Sequence, residues 1–217
     1  MKSDSQLKQD VTAELHWEPA VNASQIGVEV KNGIVTLAGH VDSYTEKWNA
    51  ERAAQRVTGV TGLAVEMEVR LPGPNQRDDA DIARSANDLL NWSSMLAKDS
   101  IQVMVEKGWV TLTGEVRWDF ERREVTSSIR KLMGVTGVSD QINIKPMVSV
   151  TVLKSDIEAA LKRRAHNDAA MITVNVKGAD VYLSGTAHTW AERDLAGHAA
   201  WSAPGVQNVV DNIVVTY

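Results

Sequence analysis

Apolar residues four apart open the chain at Leu7, Val11 and Leu15, the spacing of one helix face. Strict alternation follows at Ile26, Val28 and Val30, the period of a half-buried strand. A glycine turn at Lys31-Asn32-Gly33 leads into Val35-Thr36-Leu37, which predicts a hairpin. Apolar positions Ala50, Ala53, Ala54 and Val57 return to helical spacing, and Leu63, Val65, Met67 and Val69 alternate again. The order predicted is helix, strand, strand, helix, strand.

That order is written three times. Val35-Thr36-Leu37-Ala38-Gly39 recurs as Val110-Thr111-Leu112-Thr113-Gly114 and as Val181-Tyr182-Leu183-Ser184-Gly185. In the same register, Gly59-Val60 recurs as Gly134-Val135 and Gly205-Val206, and Glu46 as Glu121 and Glu192. The opening helix face maps onto Ile82, Ala86 and Leu90, then onto Ile157, Leu161 and Ala165. The alternating first strand maps onto Ile101, Val103, Val105 and onto Ile172, Val174, Val176. Capping patterns precede four of the helices: Ser3 with Gln6, Ser43 with Glu46, Ser155 with Glu158, and Thr189 with Glu192.

The fold class expected is therefore α+β, as three tandem modules over residues 4–71, 78–146 and 152–217 with a Pro/Gly linker at 72–77. In each, two helices pack on one face of a three-stranded mixed sheet, because a module this small has one core to build. Modules of about 70 residues bury only roughly 60% of their unfolded surface, so contacts between modules are expected, and homo-oligomers are consistent with the free sheet faces.

The helix-strand-strand-helix-strand order, the Val-Thr-Leu-x-Gly strand and the Gly-Val turn resemble the BON domain of bacterial osmotic-stress and envelope proteins. The resemblance implies a non-enzymatic, stress-related protein that binds phospholipid surfaces or client proteins. It also implies an alternative, binding of potassium or another monovalent cation in the cytoplasm. Self-association as a scaffold is a third reading.

With 43% apolar and 24% charged residues the chain has an ordinary globular composition. It has no cysteine, so disulfides and thiolate ligands are excluded. A net charge of -5 argues against broad binding to nucleic acid. Gly59-Val60-Thr61-Gly62 and Gly134-Val135-Thr136-Gly137 have the form of a backbone-clamping loop, but the third copy reads Gly205-Val206-Gln207-Asn208. No nucleic-acid partner is expected. The polar start and the lack of 18 consecutive apolar residues predict no transmembrane segment. They predict a cytoplasmic chain, or a periplasmic one where a signal peptide has been removed.

No catalytic residue, cofactor or metal ligand is assigned: the five histidines lack ligand-type pairing, and no nucleophile stands beside a base. Gly39, Gly59, Gly114, Gly134, Gly185 and Gly205 are read as turn-forming structural residues. The second copy is the unusual one, carrying Trp109, Trp118 and Phe120 where the first has Ile34, Ser43 and Thr45. Together with Arg117, Arg122 and Arg123 these aromatics form the candidate ligand-binding cluster, an arrangement suited to lipid headgroups and the interface beneath them. The competing reading has the aromatics packing on a neighbouring module and the arginines pairing with Asp119, Glu121 and Glu124.

Overall fold

The computed structural model describes residues 2–145, 155, 157–159, 172–203 and 205–216. The first module runs α1 (Asp4–Trp17), β1 (Ile26–Lys31), β2 (Ile34–Val41), α2 (Tyr44–Arg56) and β3 (Gly62–Val69). The second repeats it as α3 (Asp79–Trp92), β4 (Ile101–Glu106), β5 (Trp109–Val116), α4 (Asp119–Arg130) and β6 (Gly137–Ile144). The third contains β7 (Ile172–Lys177), β8 (Asp180–Ala187), α5 (Trp190–Trp201) and β9 (Asn208–Val215). Of its opening helix, Ser155 and residues 157–159 are helical, while Leu161 and Ala165 lie outside the described residues.

Each sheet is mixed, with the hairpin antiparallel and the last strand parallel to the middle one. A parallel partner requires a crossover, and the second helix of each module supplies it. The register is repeated to the residue: Val28 faces Leu37, Val103 faces Leu112 and Val174 faces Leu183. A one-residue slip would turn every core side chain outward, so burial holds this register.

The helices cover one sheet face and close a separate core in each module. Leu7, Val11, Leu15, Val35, Leu37, Ala50, Ala53 and Ala54 are buried in the first. Ile82, Ala86, Val110, Leu112, Val125 and Ile129 occupy the corresponding places in the second. Ile157, Val181, Leu183, Ala196, Ala199 and Ala200 do so in the third. The opposite sheet face of the second module is uncovered and presents Met104 and Trp109.

Gly39 and Gly114 both have φ +134°, and a Cβ on either would lie 2.1 Å from the carbonyl oxygen of Gln25 or Ser100. The backbone passes too close there for any side chain. The turns of the first two hairpins place Asn32-Gly33 and Lys107-Gly108 at positive φ. The third has Gly178 at the first central position, φ +63°, followed by Ala179. This accounts for the one-residue displacement of the glycine in that copy, since the two-residue loop is kept.

Candidate functional site

The candidate cluster of the second module lies at the passage from β5 into α4. Chain direction reverses there, and Glu121 fixes the turn. Its buried carboxylate accepts the Arg117 backbone N–H at 2.8 Å and the Trp118 backbone N–H at 3.1 Å. Glu46 and Glu192 do the same for the residues that precede α2 and α5. In those two helices Ser43 and Thr189 also accept the amide of the third helical residue. Trp118 has no side-chain acceptor to offer, so Glu121 does the capping of α4 by itself.

The backbone around Asp119 sorts the cluster into an inward and an outward set. Asp119 is 2% exposed, while its neighbours Trp118 and Phe120 are 37% and 49% exposed. The Asp119 carboxylate pairs with Arg122 at 2.5 Å and with Arg123 at 2.7 Å. Arg122 also approaches Asp140 of β6 at 3.8 Å, and its guanidinium lies 5.0 Å from the ring centre of Trp201 in the third module. Arg122 and Arg123 are thus engaged at a junction between modules. Arg117 is exposed, and among the described residues its guanidinium has no ion-pair partner within reach.

Trp109 is placed elsewhere. It begins β5, whereas Trp118 follows the end of that strand, so the two are separated by roughly 23 Å along it. The Trp109 indole N–H donates to the Ser139 hydroxyl at 2.9 Å and its ring lies over Gly137. The structure therefore brings together Arg117, Trp118 and Phe120 as one exposed group and sets Trp109 on the uncovered sheet face.

One feature escaped the sequence reading. Asp4 accepts the backbone N–H groups of Asn32 and Gly33 at 2.8 and 3.0 Å, and Asp79 accepts those of Lys107 and Gly108 at 2.8 Å each. A carboxylate in the first turn of α1 and of α3 thereby holds the hairpin tip of its own module. Their recurrence at the repeat spacing was the available signal. The equivalent tryptophans Trp17 and Trp92 are nearly fully exposed at the ends of α1 and α3.

Among the described residues no group of three or more His, Asp or Glu is placed to hold a metal ion, and no helix is long and apolar enough to cross a membrane. A cavity of about 570 Å³ is lined by Lys2, Asp4, Asn32, Thr58, Gly59 and Thr61. The equivalent place in the second module holds Arg77, whose guanidinium reaches the Met133 sulfur at 3.3 Å.

The family pattern of the BON domain matches three times, over residues 3–70, 78–146 and 149–217. The chain belongs to the BON domain family. Osmotically-inducible protein Y of Escherichia coli (strain K12) is 26% identical over 172 residues, covering 76% of this chain and 85% of that protein. Two solved structures of CdsD, a structural protein of the type III secretion system of Chlamydia trachomatis, also align. They do so at TM-scores of 0.27 and 0.26, with 14% and 13% identity and coverage of 100% and 96% of this chain. They are covered to 100% and 91% of their own lengths. In these BON domains the invariant framework is the glutamate cap and the glycine-bearing strands, whereas the exposed Arg117-Trp118-Phe120 group is peculiar to the second.

Proposed function

We propose that this chain is a non-enzymatic, stress-related binding protein that engages phospholipid surfaces through the start of α4. The single observation that carries the reading is the exposure of Trp118 and Phe120 beside Arg117, whose guanidinium has no ion-pair partner among the described residues. Two aromatic rings flanked by a cation suit the boundary between headgroups and acyl chains, where the rings displace water and the guanidinium meets phosphate. Arg122 and Arg123 support the site from below, since Asp119 holds them and with them the first turn of α4. The likeness to an osmotically inducible protein supports the stress setting.

Co-sedimentation with liposomes containing or lacking anionic lipid, at low and moderate salt, tests the proposal. Binding is expected to be salt-sensitive, to favour anionic vesicles, and to be lost in a variant carrying Arg117→Ala and Trp118→Ala. Absence of binding at either salt, or binding that the variant retains in full, overturns it.

A further inference from the structure

The three crossover helices meet head to tail. The start of α2 meets the end of α4: the Arg130 guanidinium lies 4.2 Å from the Trp48 ring centre, and the Thr45 hydroxyl donates to the Arg130 carbonyl at 3.1 Å. The start of α4 meets the end of α5, where Arg122 lies over Trp201. The start of α5 meets the first module. There Asp194 pairs with Arg52, and the Trp190 indole N–H donates to the Val60 carbonyl at 3.0 Å.

These contacts fall on equivalent or nearby repeat positions. Trp48 corresponds to Asp194, and Arg130 corresponds to Trp201. Each module offers the start of its crossover helix to one neighbour and the end to the other, which is the heterologous contact that closes a ring. Here the ring closes within one chain after three copies.

Its cement is polar. The three buried apolar clusters each lie within a single module, and among the described residues Tyr44 is the side chain that packs on the core of another. Among the described residues the junction contacts are cations on rings, one ion pair and hydrogen bonds. The first and second modules are joined by the chain, as are the second and third. The contact between the third and the first is held by non-covalent contacts alone. Its ion pair is solvent-accessible, with Arg52 and Asp194 side chains 36% and 35% exposed, and added salt screens such a pair.

We propose that the ring is gated by ionic strength: it is closed at low salt and opens at the junction of the third and first modules when salt screens Arg52 and Asp194. Opening uncovers Trp190 and leaves the three cores intact. This inference does not rest on the lipid surface at Arg117 and Trp118.

Small-angle scattering of the full chain in KCl tests it, from about 20 mM to about 1 M, a range that shortens the screening length from roughly 20 Å to roughly 3 Å. Three modules about 25 Å apart in a triangle have a radius of gyration of about 18 Å, against about 23 Å in an extended row. The expected result is a rise in KCl of up to about a quarter, the limit set by the extended row, with unchanged far-ultraviolet circular dichroism, and no rise in sucrose of matched osmolality. Arg52→Asp should open the ring at low salt, and adding Asp194→Arg should close it again. A radius constant across the KCl range, an equal expansion in sucrose, or a compact Arg52→Asp variant at low salt each overturns the proposal.

Discussion

Asp119→Asn is the most informative single change to the second module. The substitution keeps the volume of the side chain and removes one charge. In the native structure that charge is 2% exposed and faces two guanidinium groups at 2.5 and 2.7 Å. Removing one partner of a buried pair costs roughly 3–5 kcal/mol when the other is left dry. Arg122 and Arg123 retain 27% and 39% side-chain exposure, so water recovers part of that loss. The carboxylate also stands in the first helical turn, where a negative charge is worth roughly 0.3–1 kcal/mol. A net destabilisation of about 3 kcal/mol follows. Asp81→Asn is the matched control, because Asp81 is also in a first turn and pairs with Arg84 at 2.7 Å, with both side chains largely exposed. Its cost should be about 0.5 kcal/mol. Urea unfolding with hydrogen exchange of the β4 to β6 amides reads the second module specifically. With a slope of about 1 kcal/mol per molar urea for a module of this size, Asp119→Asn moves its midpoint by about 3 M and the control by about 0.5 M. Equal shifts in the two variants would refute the assignment of Asp119 as a buried counter-ion.

Other consequences follow from the same geometry. Gly114→Ala forces a Cβ to within 2.1 Å of the Ser100 carbonyl at a φ of +134°, so a loss of about 3 kcal/mol or more is expected, measurable by thermal unfolding. Gly73→Ala, with nothing within 4 Å, should change stability by less than about 0.5 kcal/mol. Asp79→Ala removes two hydrogen bonds to the β4–β5 turn and should cost about 1–2 kcal/mol, with faster amide exchange at Lys107 and Gly108. His198 is held below the ordinary imidazole value, first by burial and then by the nearby Arg123. The opposing carboxylates of Asp194 and Asp119 act against that shift, while Arg52 adds to it. Because its folded pKa is depressed, the unfolded chain binds the proton more readily, and stability present above about pH 6.5 is lost as pH falls towards the lower folded value. His198→Gln should flatten that part of the profile of thermal midpoint against pH, and an unchanged profile would remove His198 from the account.

The chain's own pattern determined most of the architecture. Alternation at Ile101, Val103 and Val105, helical spacing at Val125 and Ile129, and three registered copies are local statements, and the core-facing placement of those same residues, buried or partly buried, follows from period alone. The glycines were legible for the same reason, since strands that repeat a glycine at one position imply a backbone constraint there. The candidate site was legible only as a composition of aromatics and arginines around α4. Sequence adjacency placed Asp119, Arg122 and Arg123 beside Trp118 and Phe120, but the direction each side chain takes depends on what lies across the helix. Only the tertiary structure decided that Asp119 turns inward to hold two arginines while Trp118 and Phe120 face outward, and that Trp109 sits at the far end of its strand. The ring of crossover helices lies wholly on that side of the division. Contacts such as Arg52 with Asp194 join residues 142 positions apart, and no periodicity specifies which surfaces of three similar modules will meet. That is settled by charge and ring complementarity once each module has folded.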